Sequence, residues 1–274
     1  MNRRLLTLLL LLPTLAFSQG RHKGQMPLPE SEAPAVAAKA ASAVEDKTPR
    51  DPNKFAILSV LGDSVQLLSL TPARGDTVQT GEWTATPAGG LDDAVLQTLN
   101  AAVKAGNDKR EVKLYTSTTR SLFGDPANLF VDGKLSLPGN LATAVRTGGA
   151  GHLLLVTRSR QEPALAAALP ARILTSLEGP GFVLDQRPSA QIGFDGQPVP
   201  PLFAPYVSIR IALIDLADFK LRRERSIAVA TRLPVGAQAG GNPWAATTAE
   251  QRVKALEALI AAELPAAVKS LMAP

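Results

Sequence analysis

Ser64 is the residue most able to do chemistry, because it follows Leu61-Gly62-Asp63 at the end of an apolar run, Phe55–Leu61. A serine hydroxyl becomes a nucleophile only when a neighbouring base takes its proton and amide donors hold the developing oxyanion. The choice of base is narrow, since the chain has two histidines, His22 and His152, and no cysteine. Arginine offers a second chemistry. Arg158 and Arg160 lie just past a buried strand, His152–Thr157, and with Arg210 they could receive a small anion. Arg210, Arg222, Arg223 and Arg225 form a possible anion stripe along one hairpin. The plainer reading of all these arginines is strand-end charge and a guarded sheet edge.

Three other features invite function and are better explained by structure. Thr147-Gly-Gly-Ala-Gly151 looks like a phosphate loop, but its glycines follow a helix and precede a strand, which is a helix stop and turn. Asp92 and Asp93 are adjacent on a helix and do not face each other, so helix-start chemistry accounts for them. His152 has no acidic or histidine neighbour in sequence and reads as a structural histidine. Trp83 and Trp244 need no special cause. No catalytic, cofactor-binding or metal-binding residue is therefore assigned, no cofactor is expected, and the chain is read as a non-enzyme.

The elements that must position these residues are legible from periodicity. Phe55–Leu61 is an apolar run suited to a strand buried on both faces, Gly62-Asp63 is a two-residue turn signal, and Val65–Leu70 reads as the return strand. Thr77–Thr86 would complete a meander. Leu91, Val95, Leu99 and Val103 have helical spacing, stopped by Gly106-Asn107. A strand at Glu111–Thr116, a loop from Ser121 to Asn140 and a short helix, Leu141–Thr147, come next. Residues 161–205 are proline-rich and read as an irregular insertion with one strand, Gly181–Asp185. Tyr206–Arg232 is a long antiparallel hairpin linked at Asp215–Lys220, with Val207, Ile209, Ile211 and Leu213 on its buried face and the other face mixed. Thr247 and Glu250 predict a capping box for a terminal helix over about 248–271, which Pro265 should kink. The order of elements argues for an α/β (α+β) sandwich, a mixed sheet packed by helices, as one domain over 54–274.

Composition narrows the function classes. The formal charge of +5 includes Arg3 and Arg4, and the remaining basic residues are interleaved with acids. With aromatics at 4%, this excludes a nucleic-acid stripe or base-stacking platform. The missing cysteine excludes disulfides, thiolate metal sites and a lipid-bearing amino-terminal Cys. Met1–Ser18 has two arginines, an apolar core from Leu5 to Leu12, Pro13 and a small-residue site at Ala16-Phe17-Ser18. This is the layout of a cleaved signal peptide, and its core is too short to span a bilayer. Residues 19–53 are rich in Pro, Ala, Glu and Lys and read as a disordered tether. The expected location is periplasmic or secreted.

Two resemblances bear on function. Gly62-Asp63-Ser64 resembles the first block of the GDSL/SGNH hydrolases, which would make Ser64 a nucleophile. The family's Gly-x-Asn-Asp block is only echoed by Lys104-Ala-Gly-Asn-Asp108. Its Asp-x-x-His pair is missing, since His152 is the last histidine and Gly149 stands where its Asp would be. Leu141–Thr157 (LATAVRTGGAGHLLLVT), then SIRIALIDLADFKLRRE and a capped terminal helix, resemble an uncharacterised group of secreted proteobacterial proteins. The arrangement is similar to the amino-terminal domain of the Tol-system propeller protein and to the curli-secretion type of periplasmic domain. It departs from them in lacking the lipid-bearing Cys, in Asp218-Phe219 where a Gly turn is usual, and in its long insertion. The resemblance implies a role in envelope binding or assembly, with a protein partner, and carries over no functional residue. The expectation is a non-catalytic envelope binding module, with a Ser64 hydrolase and an Arg158–Arg160–Arg210 anion binder as the alternatives.

Overall fold

The computed structural model describes residues 49–74, 76–86, 90–161, 177–194, 196, 199–233 and 242–273; the expected leader and nearly all of the expected tether lie outside them. The strands are β1 (Asp51–Val60), β2 (Ser64–Ala73), β3 (Asp76–Ala85), β4 (Glu111–Tyr115), β5 (Phe130–Val131), β6 (Lys134–Leu135), β7 (Ala150–Arg158), β8 (Arg160–Gln161), β9 (Leu177–Asp185), β10 (Leu202–Asp215) and β11 (Leu221–Ala230). The helices are α1 (Asp92–Gly106), α2 (Gly139–Thr147), α3 (Pro243–Ala246) and α4 (Ala249–Met272). β1 takes in Asp51–Asn53, so the sheet begins within the stretch expected to be tether.

β10 is the strand on which the sheet is built. Tyr206–Ile214 pair antiparallel with β11 along one edge. The other edge carries two strands in series, β9 against Leu202–Ser208 and β7 against Ile209–Asp215. β1 runs parallel to β7, and β2 runs parallel to β9. Since β7 and β9 both oppose β10, β1 and β2 run in the same direction. This overturns the expected hairpin at Gly62-Asp63: the chain does not turn back there but breaks step and continues along the sheet. A β-hairpin signal is local, whereas strand direction was decided by β7 and β9, which arrive later in the chain. The outermost row holds β4 parallel to β1 and β3 antiparallel to β2, their carboxyl ends converging on the Gly62-Asp63 break.

The result is the expected mixed sheet sandwiched by helices. One face packs Phe55, Ile57, Leu154, Val156, Ile209 and Ile211 against α1 and α4. The other packs Ala56, Leu58, Leu153, Leu155, Ala212 and Ile214 against α2 and the loop around Leu122–Leu135. Strand alternation delivers one residue to each face in turn, which is why the inner stretches of β1 (Phe55–Leu58) and β7 (Leu153–Val156) are continuously apolar. β10 is likewise buried on both faces, so the mixed, half-solvated face expected for the hairpin belongs to β11 alone.

Two further expectations are corrected. The expected insertion, 161–205, holds an inner strand: Leu177–Asp185 is almost wholly buried between β2 and β10, and β10 itself begins at Leu202. The strand expected at Gly181–Asp185 starts four residues earlier, because the Gly179-Pro180-Gly181 run, with Gly179 at φ 64°, interrupts the alternation over its first half. The residues from 162 to 176 lie outside those described. The capping box of α4 falls one residue later than expected: Gln251 N donates to the Thr248 hydroxyl (3.2 Å) and Thr248 N to the Gln251 side chain (2.8 Å). The α4 C-terminus is closed by Arg223, which donates to the carbonyls of Leu271 and Ala273.

Candidate functional site

The break between β1 and β2 brings several of the singled-out residues together. Gly62 adopts φ 80°, the left-handed region that suits glycine. The backbone freed by the break is satisfied from two sides. On one side the Asp92 carboxylate, at the start of α1, accepts from Ser59 Oγ (2.5 Å), Leu61 N (2.9 Å) and Gly62 N (3.0 Å). On the other, the Arg158 guanidinium donates to the Leu61 carbonyl (2.7 Å), the Ser64 carbonyl (3.3 Å) and Ser64 Oγ (3.1 Å). Its flat face lies 4.4 Å from the Trp83 ring. The Asp63 carbonyl accepts from Thr86 N (2.7 Å). Asp92 and Arg158 are therefore a pair of clamps on one backbone irregularity. Sequence spacing assigned Asp92 to the helix dipole because its partners, 30 to 33 residues away, meet it only in the fold.

This geometry does not equip Ser64 as a nucleophile. Its hydroxyl faces a guanidinium that cannot accept its proton. His152 sits at the other end of the β1–β7 ladder, paired with Phe55, while β1 leads to Ser64 nine residues further on. Burial lowers the pKa of His152 below the ordinary imidazole value, the Asp215 carboxylate working against that and Arg222 adding to it. Its ring packs 5.4 Å from Phe55.

The three arginines proposed as an anion site have separate partners. Arg158 holds the break, Arg160 pairs with Glu178 (2.5 Å), and Arg210 pairs with Glu224 while lying over the Phe130 ring. Burial lowers the pKa of Arg158, with Glu178, Asp92 and Asp63 opposing, and the group stays a cation. In the proposed hairpin stripe, Arg222 pairs with Asp215 (2.6 Å) and Arg223 closes α4. Trp244 packs edge-on to Phe182 and Phe203 with Arg252 3.8 Å from its ring. The glycine run ends α2 and turns into β7 as expected. At Gly151 a Cβ would lie 2.8 Å from the Asp51 carbonyl, so glycine lets β1 approach.

A crevice of about 510 Å³ opens beside the break, and no sequence feature marked it. It lies between the carboxyl ends of β1 and β4, where the chain returns over one face through α1 and over the other through α2. In open α/β sheets such a switch point is where ligands enter. It is lined by Gly62 and Asp63 of the break, by Gly90, Asp92 and Asp93 around the start of α1, and by Thr116–Thr118, Arg120 and Phe123 from the segment after β4. Among the described residues no group of three or more His, Cys, Asp or Glu could hold a metal, and no helix is long and apolar enough to cross a membrane.

At the far end of the sheet, the loop between β9 and β10 places two large apolar side chains in solvent. Ile192 is 69% exposed and Phe194 fully so. The loop is pinned by Gln191 N to the Pro188 carbonyl (2.9 Å), Gly196 N to Gly193 (3.0 Å) and Val199 N to Gln191 (3.0 Å).

No protein-family model matches the chain, and no curated protein matches it significantly. Among solved structures it is distantly similar to a Xanthomonas campestris protein of family DUF330 (TM-score 0.32, 12% identity, 82% of this chain and 89% of that one). It is also similar to a PelC dodecamer from Paraburkholderia phytofirmans (TM-score 0.27, 13% identity, 78% of this chain and 94% of that one). Neither is described as a Tol-propeller or curli-secretion domain, so the resemblance expected from the sequence is not supported at that level.

Proposed function

We propose that this chain is an exported periplasmic protein that binds another envelope protein and performs no chemistry of its own. The observation that carries the reading is the braced loop bearing Ile192 and Phe194. Large apolar side chains held out in water are docking anchors: burying each contributes about 1.5–3 kcal/mol. Pro188, Pro200 and Pro201 around them reduce the ordering cost of binding. The loop lies beside Leu70, whose carbonyl accepts from Gln186 N, while the leader and tether read in the sequence precede Asp51 at the opposite end of the β1–β2 row. The guanidinium against Ser64 supports the non-catalytic half of the reading.

The test is a photo-crosslinking residue at position 194 of the mature protein in its native periplasm, with the same residue at Val131, another exposed apolar site, as control. The reading expects a discrete envelope-protein adduct from position 194 and none from 131. Equal smears from both sites, or none from 194, sink it. A fluorophosphonate should leave the purified protein unlabelled; labelling lost in Ser64→Ala would overturn the non-catalytic half.

A further inference from the structure

We infer that the crevice at the carboxyl ends of β1 and β4 is a binding site for a neutral, polyhydroxylated ligand, a short oligosaccharide. The inference does not depend on the proposed protein partner. The cavity, at about 510 Å³, is within the range of small-molecule sites, and it occupies the switch point between the two crossovers.

The chemistry of its walls selects the ligand. Asp92 is committed to the strand break, through three donors. The Asp63 and Asp93 carboxylates make no side-chain hydrogen bond or ion pair among the described residues, and both are exposed acceptors lining the crevice. The segment after β4 supplies donors: Arg120, exposed and without an ion pair among the described residues, and the hydroxyls of Thr116 and Thr118. Ser117 Oγ accepts from Thr119 N (3.2 Å), leaving its own proton to donate. An anionic ligand would meet the two free carboxylates, and a polycation would meet Arg120 with Arg158 close behind Gly62. Vicinal hydroxyls fit both walls, because each hydroxyl donates and accepts. The half-buried Phe123 ring supplies an apolar wall for the C–H face of a sugar.

The floor is kept open by glycine. A Cβ on Gly90 would lie 3.1 Å from the Gly62 carbonyl, and one on Gly62 would lie 3.2 Å from both Phe123 and Arg158. Gly62 and Gly90, both at positive φ, thus let two chain segments meet beneath the cavity without filling it.

The experiment is amide-resolved NMR of the mature protein titrated with maltotriose, cellotriose and tri-N-acetylchitotriose, and separately with inorganic phosphate and spermidine. At least one neutral trisaccharide should shift the amides of Gly62, Gly90 and Thr116–Arg120. Asp93→Ala and Arg120→Ala, which touch neither clamp, should each weaken that binding about tenfold or more while lowering the thermal midpoint by no more than about 4 °C. The inference fails if no trisaccharide shifts those amides at about 10 mM, well above a weak millimolar site. It fails equally if phosphate or spermidine binds the crevice and the sugars do not, or if sugar binding survives both substitutions.

Discussion

Replacing Asp92 by alanine removes the acceptor that closes the strand break, and its cost can be worked from the three donors it leaves behind. Leu61 is fully buried, so its amide has no water to turn to; Gly62 N and Ser59 Oγ are freed with it. An unsatisfied buried donor costs about 1–3 kcal/mol, and hydrogen bonds to a charged acceptor are at the strong end of the scale. Gly62 is half-exposed, and water can replace part of its loss. The expected destabilisation is therefore about 2–4 kcal/mol, which in a folded region of this size lowers Tm by roughly 5–15 °C. Asp93→Ala is the matched control. It removes the same charge from the same helix turn but no described side-chain bond, and should cost no more than about 0.3–1 kcal/mol of helix-dipole energy. Equilibrium urea unfolding of the mature protein measures both, with an unchanged slope showing that the native state is preserved. If Asp92→Ala and Asp93→Ala fall within about 0.5 kcal/mol of each other, the clamp is not what holds the break, and the account of how β1 passes into β2 is wrong.

Two more outcomes follow from the same geometry. Gly181→Ala should cost about 3 kcal/mol or prevent folding, because its Cβ would lie 2.5 Å from the Tyr206 hydroxyl and overlap the Gln66 carbonyl. Gly139→Ala, with nothing within 4 Å, should leave the urea midpoint nearly unchanged, and equal effects would refute the steric reading. The folded protein should lose stability as pH falls from about 6.5, the unfolded imidazole value, toward the lower folded value of His152, and level off below it. Burial disfavours the His152 cation in the folded state, so the unfolded chain binds the proton first. Asp215 acts in a separate, more acidic window: burial raises its pKa, but the Ala217 amide and Arg222 outweigh that and hold it below the ordinary carboxylate value. Urea unfolding from pH 8 to pH 4.5 should flatten in His152→Leu; an unchanged profile would place the dependence elsewhere.

Much of the architecture was legible without coordinates. The short apolar runs Phe55–Leu61 and His152–Thr157 name strands buried on both faces, whereas a 3.6 period over Leu91–Val103 names a helix and a 2.0 period over Tyr206–Arg232 names the long hairpin. The leader and tether readings rest on composition alone. What composition and period cannot carry is partnership. Gly62-Asp63 has the chemistry of a tight turn, and only the later arrival of β7 and β9 makes it a break in a strand that continues. Gly179-Pro180-Gly181 hides the first part of an inner strand expected only from Gly181, because its glycines are there to admit Arg158 and Tyr206 rather than to follow an alternating pattern. Phe219, at φ 59°, stands where glycine would be easier; the second core buries it against Arg146, and contact outweighs backbone preference. The crevice was invisible for the same reason. Its walls come from the ends of β1 and β4, more than fifty residues apart in the chain, with the start of α1 between them, and neither their hydroxyls nor their carboxylates form a motif until the sheet brings them together.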